Sequence, residues 1–193
     1  MLGLGQFEQS LKVREEVMND FQEITPGGRP LVRMYLAFML WFVGRGIQAA
    51  SKVDPEVKRE FDELPAGFTF ALTAAPDGPS MVVGKDSMGQ VKYLGSSLEG
   101  RDLNVKMTLK SMEGLFQLFT FRESTPVANA RDRLFVEGGV PEACAAVRVL
   151  DIVQVYLLPK PIAKLAIKRY PSWTLKRHTW DRAMVNLRAV IGF

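Results

Sequence analysis

The sequence predicts an α+β fold in which one five-stranded, mostly antiparallel sheet is covered by helices. Four short strand-like segments follow one another between residues 68 and 109, and a fifth lies at 134–136. Apolar helical patterns precede and follow these strands, an order typical of helices packed on a single sheet. Apolar residues make up 47% of the 193-residue chain, which is enough to bury a full core.

Helical patterns occupy the N-terminal part of the chain. Residues 7–23 carry an apolar stripe at helical spacing, and Pro30 suits the first turn of a second helix over 30–52. Between Arg33 and Arg45 this helix is uncharged over roughly 16 Å, about half of a bilayer's hydrocarbon core. We therefore expect it to pack on the protein rather than to cross a bilayer, while insertion into one leaflet stays open.

Strand patterns follow a short charged helix that begins at Asp54-Pro55. Large apolar and smaller side chains alternate over 68–72, which predicts a strand with one buried face. Further strands are predicted at 81–83, 91–94 and 103–109, and the last of these has the most regular alternation. The turns between the four strands are short, which favours an antiparallel meander.

Two helices are predicted between the fourth and fifth strands. Ser111 is expected to cap a helix rich in Phe and Leu, and Thr125-Pro126 begins the next helix. After the fifth strand and Gly138-Gly139, Pro141 opens a long apolar helix that ends near Leu158.

Positive charge is concentrated at the C-terminal end. The net charge is +4, yet residues 160–193 alone hold eight Lys or Arg and one Asp. The spacing predicts a basic amphipathic helix and then a last helix over 174–190. Contact with an anionic membrane surface is predicted for Lys160, Lys164, Lys168, Trp173, Lys176 and Arg177. A solvated helix face stays the alternative, and no aromatic stacking platform indicates nucleic-acid binding.

The sequence offers little for catalysis. A single cysteine excludes an intramolecular disulfide, and a single histidine, His178, argues against a His-based metal site or a catalytic triad. No Gly-x-Ser-x-Gly segment is present. Cys144, between small residues, is interpreted as packing. We predict a non-enzymatic protein without cofactor or metal, and the lack of a visible signal peptide favours the cytoplasm.

Several segments together resemble the sterol carrier protein type-two domain. They are Gly67-Phe68-Thr69-Phe70, the alternating strand at 103–109, the Phe-rich helix after Ser111, and Phe135-Val136-Glu137-Gly138. The resemblance covers residues from about 60 to 158. It implies a sheet covered by helices, with an apolar tunnel that binds sterols, fatty acyl chains or other lipids. The chain lacks the C-terminal peroxisomal tripeptide of many eukaryotic members, and its helical extensions resemble those of bacterial accessory proteins of isoprenoid quinone synthesis.

The predicted organisation has a helical extension (1–59), a lipid-binding domain (60–158) and a basic tail (159–193). The helices carry more apolar surface than one small sheet can cover, which favours a large pocket or a partner. The predicted ligand-binding residues are Phe68, Phe70, Val105, Met107, Met112, Leu115, Phe116, Phe119, Leu150, Val153 and Leu157. Binding or transfer of a lipid, with peripheral attachment to a membrane, is the first hypothesis. An assembly module that uses the apolar surface in a homodimer or complex is the alternative.

Overall fold

Five strands form one mixed sheet in the part of the chain that the structure describes. The structure is a computed structural model, and the described residues are 29–120, 122–123, 125–157 and 181–191. The strands are β1 (Thr69–Ala74), β2 (Ser80–Lys85), β3 (Val91–Gly95), β4 (Val105–Leu109) and β5 (Leu134–Gly138). The helices are α1 (Pro30–Val53), α2 (Pro55–Asp62), α3 (Met112–Phe119), α4 (Thr125–Ala130), α5 (Val140–Leu157) and α6 (Arg182–Ile191). The α+β class and the five strands predicted from the sequence are confirmed.

The strands lie in the order β3-β2-β1-β4-β5. Three neighbouring pairs are antiparallel, whereas β1 and β4 are parallel. The predicted antiparallel meander of the first four strands is therefore wrong at its last step. After β3 the chain crosses back through residues 96–104 and pairs with β1 instead of continuing beside β3.

Asn104 determines where this parallel pair begins. Its side-chain oxygen accepts a hydrogen bond from the Thr69 amide at 2.8 Å, and its own amide donates to the Thr69 carbonyl at 3.0 Å. The Thr69 hydroxyl also donates to the carbonyl oxygen of Asp102. These bonds satisfy the backbone at the start of β1 and explain why β4 begins at Val105, two residues later than predicted.

One face of the sheet, the inner face, is apolar. The strand register determines which residues belong to this face, because residues two apart on a strand point to the same side. Its buried side chains include Phe70, Leu72, Met81, Val83, Val105, Met107, Leu109 and Leu134. Helix α1 contacts β2 and β3, α3 contacts β1 and β4, and α5 contacts α1, α2 and β5.

Helix α1 packs through its C-terminal half and leaves its N-terminal end exposed. Leu40 and Ile47 are fully buried in the core, whereas Leu31 and Met34 are 74% and 66% exposed. By length and composition alone α1 could also cross a membrane. Of its most apolar stretch of 18 residues, 33% is buried within the protein. The prediction that α1 packs on the protein is confirmed, since it contacts β2 and β3. Its not crossing a bilayer stays a prediction.

The contact between α1 and β3 depends on a glycine. The ring of Tyr93 lies directly against the backbone of Gly44, where an added Cβ would overlap the ring. One turn later, the side-chain oxygen of Gln48 accepts a hydrogen bond from the Tyr93 amide at 2.9 Å. The edge strand β3 is therefore attached to α1 by both a ring contact and a backbone hydrogen bond, and burial raises the pKa of Tyr93.

Buried polar groups hold the junction between α1 and α2. Asp54 caps α2 by accepting a hydrogen bond from the Glu56 amide, and it accepts another from the hydroxyl of Tyr156 on α5. At the other end of α2, the Lys85 ammonium donates to the carbonyl oxygens of Phe61 and Leu64 at 2.7 and 2.8 Å. Both ends of α2 are thus fixed, one to α5 and one to β2.

Other predictions have mixed outcomes. Helix α5 begins at Val140, as expected from Pro141, but Cys144 is exposed, so its interpretation as packing was wrong. The three neighbouring alanines are buried instead.

Some predictions fall on residues outside the described part of the chain. They are the helix at 7–23 and the membrane-surface residues Lys160, Lys164, Lys168, Trp173, Lys176 and Arg177. The division into segments 1–59, 60–158 and 159–193 stays a prediction.

Gly44→Ala tests the contact between α1 and Tyr93. We expect the free energy of unfolding to fall by about 1–2 kcal/mol, because overpacking at the ring outweighs the higher helix propensity of alanine. Gly114→Ala in α3 is the matched control, since its added Cβ would have no neighbour closer than 3.6 Å. That variant should gain about 0.5–1 kcal/mol. Urea unfolding would measure both, and equal stabilisation of the two variants would contradict the Gly44 contact.

Candidate functional site

An apolar cleft lies between the inner face of the sheet and helices α3, α4 and α5. Its lining residues are Leu72, Met107, Leu109, Leu118, Phe119, Thr125, Ala128, Leu134, Leu150 and Gln154. Eight of the ten are apolar, and the other two carry uncharged polar groups. The free volume is about 10 Å³, roughly the room that one water molecule needs. The side chains of the cleft therefore nearly fill it.

Three neighbouring strands form the floor of the cleft. Leu72 of β1 lies beside Met107 of β4, and Leu109 of β4 lies beside Leu134 of β5. These four side chains are continuous across the sheet because β4 pairs with β1 on one side and with β5 on the other. Each is buried, so the floor is apolar throughout.

Helix α3 supplies one wall of the cleft. The Ser111 hydroxyl oxygen accepts a hydrogen bond from the Gly114 amide at 3.1 Å, which confirms the predicted cap. The helix directs Leu118 and Phe119 into the cleft and ends where the Thr120 hydroxyl donates to the Phe116 carbonyl at 2.7 Å. Leu150 and Gln154, one turn apart on α5, form the facing wall.

A buried carboxylate connects α3 to the C-terminal end of α4. The side chain of Glu123 is 3% exposed and forms ion pairs with Arg131 at 2.9 Å and Arg133 at 3.0 Å. Arg133 also donates to the side-chain oxygen of Gln117 on α3 at 2.7 Å. None of these four residues lines the cleft. Two guanidinium groups thus compensate the buried carboxylate, and α3, α4 and β5 are joined at this point.

The structure places the predicted ligand-binding residues in three different environments. Those that line the cleft are Met107, Phe119 and Leu150. Those buried in the core away from it are Phe68, Phe70, Val105, Leu115 and Val153. The half-buried ones are Met112, Phe116 and Leu157. Phe116 packs edge-on against Tyr35 of α1, with ring centroids 5.9 Å apart. Ligand binding by any of the eleven residues stays a prediction.

Sequence reasoning missed seven of the lining residues, which fall into three groups. Leu72, Leu109 and Leu134 lie on predicted strands, so period-two alternation could have found them. Leu118 and Ala128 lie on predicted helices whose facing elements the sequence did not reveal. Thr125 and Gln154 are polar, and no periodic signal distinguishes them from surface residues.

Asp151 lies one turn before Gln154 on α5 and is partly buried. Burial raises the pKa of this carboxyl group, with no compensating cation. Its side chain has no ion-pair or hydrogen-bond partner within the described part of the chain. This side of α5 is therefore a place where a negative charge is disfavoured.

A second pocket, of about 250 Å³, lies where the end of α1 meets α2 and the turn between β2 and β3. Its lining includes Lys52, Lys58, Asp62 and Gln90, all of which are exposed. It shares no residue with the apolar cleft. Among the described residues, no three His, Cys, Asp or Glu side chains are grouped as a metal site requires.

No protein-family model and no curated protein matches the sequence. Solved structures with a similar fold include a protein described as "UbiJ-SCP2 Ubiquinone synthesis protein". It is 17% identical over 65% of this chain and 97% of that chain, with a TM-score of 0.41.

Two further structures are described as sterol carrier proteins. Sterol carrier protein 2 from Yarrowia lipolytica, in its apo form, is 20% identical over 60% of this chain and 89% of that chain, with a TM-score of 0.42. Sterol carrier protein domain 2 of Helicoverpa armigera is 15% identical over 77% and 99%, with a TM-score of 0.38. The likeness concerns the fold alone, and it agrees with the sterol-carrier-like fold predicted from the sequence.

Asp151→Asn tests the environment beside the cleft. Because the folded protein holds the Asp151 proton more tightly than the unfolded chain, stability of the parent falls as pH rises through the raised pKa. We therefore expect the variant to be more stable than the parent at pH 7, and the difference to vanish below about pH 4. Urea unfolding at both pH values would measure this. Asp77→Asn, at an exposed turn, is the control, and an equal gain in both variants would contradict the assignment.

Proposed function

We propose that this chain is a non-enzymatic lipid-binding or carrier domain whose ligand occupies the cleft between the sheet and helices α3, α4 and α5. The observation that supports the proposal best is the apolar lining, which extends over three strands and three helices. Apolar concave sites with few polar groups are typical of sites for apolar ligands. A sterol, a fatty acyl chain and an isoprenoid chain are all compatible with such a lining.

The energy for binding would come from burial of apolar surface. A chain that buries roughly 400 Å² gains on the order of 10 kcal/mol at about 25 cal/mol per Å². The costs of ordering the lipid and of separating the cleft walls reduce this gain. Because the free volume is only about 10 Å³, a lipid has to displace side chains of α3 or α4 from those of α5.

The lining itself supports a non-catalytic role. It contains no His, Cys, Asp, Glu or Lys side chain. Thr125 supplies a hydroxyl group, but no base is present in the lining to activate it. The lining therefore supplies no acid, base or activated nucleophile that could change a bound lipid.

Peripheral attachment to a membrane from the cytoplasm is part of the same proposal. It rests on the basic tail, in which eight of residues 160–193 are Lys or Arg. Near-surface basic residues each contribute about 1 kcal/mol to binding at an anionic membrane. The predicted membrane-surface residues lie outside the described part of the chain, so the tail's role rests on its charge pattern alone.

Assembly is the second candidate function, and the exposed apolar side chains of α1 and α6 favour it. On α1, Leu31, Met34 and Phe38 are all more than half exposed. On α6 the same holds for Leu187, Val190 and Ile191. The two helices pack together, and the Arg45 side chain donates to the Ala189 carbonyl at 3.2 Å. Leu31, Met34 and Phe38 are spaced three and four residues apart, so they form an apolar patch on one face of α1, which is typical of a protein–protein contact.

Lipid extraction tests the first candidate directly. The full chain, purified without detergent, should release an apolar lipid in a near-stoichiometric amount when it is extracted with organic solvent. Mass spectrometry of the extract would identify it. An extract without lipid, together with no binding of a fluorescent fatty acid or sterol by the delipidated protein, would overturn the proposal.

Phe119→Ala and Phe116→Ala form a matched pair on one helix. Phe119 lines the cleft, whereas Phe116 packs against Tyr35. We expect Phe119→Ala to weaken binding of a lipid probe by about tenfold, because the ligand loses a ring contact. Its free energy of unfolding should fall by about 3 kcal/mol. Phe116→Ala should lose less stability and keep its affinity. If both variants kept their affinity, Phe119 would be core rather than ligand contact.

Phe38→Glu tests the assembly candidate. If the patch on α1 is an interface, the parent sediments as a dimer, and the variant should dimerise at least about 100-fold more weakly, because a buried unpaired charge costs several kcal/mol. Met88→Glu is the control, since Met88 is 82% exposed on the turn between β2 and β3, near the C-terminal end of α1 and therefore far along that helix from Phe38. A parent that is monomeric at tens of micromolar in sedimentation velocity would count against assembly.

A further inference from the structure

We propose that the exposed apolar face of α1 is the docking site of the N-terminal segment of the same chain, residues 7–23, which pairs with α1 as an antiparallel helical hairpin. The segment lies outside the described part of the chain, and its sequence predicts an amphipathic helix. The proposal concerns the surface of the assembly candidate and not the cleft, so it does not depend on lipid binding.

The exposed face of α1 has the spacing of a seam between two helices. The residues of this α1 seam are Leu31, Met34, Phe38, Trp41 and Arg45. They follow one another at intervals of three, four, three and four residues, the spacing at which one helix packs along another. The first three are 74%, 66% and 53% exposed. Leu36 and Leu40, on the other side of the helix, are fully buried in the core.

Aromatic rings form the middle of the α1 seam. The ring centroids of Phe38 and Trp41 are 5.7 Å apart, and Phe38 stacks on Phe42 at 6.2 Å. The guanidinium of Arg45 lies 5.7 Å from the centroid of the Trp41 ring. The rings therefore form one continuous apolar surface, which a second helix can cover.

The N-terminal segment carries the matching pattern. Read from its C-terminal end towards its start, the matching residues are Phe21, Met18, Arg14, Leu11 and Phe7. Their intervals are again three, four, three and four residues. Each of them therefore meets one residue of the α1 seam when the two helices run antiparallel, with Phe21 opposite Leu31 and Leu11 opposite Trp41.

The charges fit this register as well. Arg14 lies opposite Phe38, where a guanidinium can stack on the ring. Arg45 lies opposite Phe7, within reach of the carboxylate of the next residue, Glu8. Residues 1–24 hold five Asp or Glu and two Lys or Arg, whereas residues 30–45 hold two Arg and no acidic residue. The segment and this part of α1 therefore attract each other.

The connection between the two helices favours the chain's own segment over a second copy. Residues 24–29 separate the predicted helix from α1, a length common between packed helices. Arg29, at the start of α1, is paired with Glu113 of α3 at 2.9 Å. A tether this short gives an effective concentration in the range of about 1 mM. A second α1 on the same seam would instead place positive charge against positive charge, since each carries Arg33 and Arg45.

Disulfide cross-linking in the full chain tests the register. Met18→Cys with Met34→Cys places two thiols opposite each other. Glu16→Cys with Met34→Cys is the matched control, because Glu16 lies on the far side of the predicted helix. Both pairs also carry Cys144→Ser, which removes the exposed native thiol. Under mild oxidation we expect the first pair to form an intramolecular disulfide at least about tenfold faster than the control pair.

Two results of the cross-linking would overturn the proposal. One is an equal rate for the two pairs, with thermal unfolding of the reduced proteins showing that both are folded. The other is a disulfide-linked dimer in place of the intramolecular bond, which would assign the α1 seam to a second copy.

Acrylamide quenching of Trp41 tests the same contact without a cross-link. Trp173→Phe with Trp180→Phe leaves Trp41 as the single tryptophan of the chain. In that background Leu11→Glu places a charge opposite the indole, and Gln9→Glu places the same charge on the far side of the predicted helix. We expect the quenching constant to rise about twofold in Leu11→Glu, because a buried unpaired charge is disfavoured and the ring is uncovered. Gln9→Glu should match the background protein. Unchanged quenching in Leu11→Glu would overturn the proposal.

Discussion

The parallel pairing of β1 with β4 is the constraint on which the rest of the structure depends. Asn104 begins it by pairing both its side chain and its amide with Thr69. In a meander, β4 would lie three strands from β1, about 14 Å away at the usual spacing of strands. The observed pairing instead places Met107 beside Leu72. It creates the floor of the cleft and also positions α3, which follows β4 after two residues.

The two halves of the sheet are covered in different ways. Helix α1 covers β2 and β3 with the ring of Tyr93 against Gly44, and buried polar bonds at Asp54 and Lys85 fix the adjoining α2. Over β1, β4 and β5 the cover is made by α3 and α4, joined to each other through Glu123. The ten residues that line the cleft lie on β1, β4, β5, α3, α4 and α5, and none of them lies on α1. Helix α1 reaches this half of the molecule through the contact of Tyr35 with Phe116 on α3.

The sequence predicted the elements well because their signals are local. Alternation along 103–109 indicates a strand with one buried face, and Ser111 caps a helix whatever surrounds it. Alternation does not identify the neighbouring strand, since a side-chain period of two is the same beside β3 or β1. The meander was predicted wrongly because the sequence does not show which strands are neighbours. For the same reason the sequence did not show which apolar residues line the cleft together.

The candidate site was only partly predictable for a related physical reason. An apolar residue in a core and one that lines a cleft have the same periodicity, so Phe116 and Phe119 were indistinguishable until the position of Tyr35 was known. Thr125 and Gln154 carry no pattern at all. Their role depends on α4 and α5 facing each other, which is a property of the tertiary structure.

The small volume of the cleft is a physical consequence of its lining. An empty apolar space forfeits dispersion contacts on every side, and the cost rises with its volume. The apolar side chains of the cleft accordingly pack until little more than the space for one water is left. Any ligand of the cleft would therefore have to replace contacts between these side chains with contacts of its own.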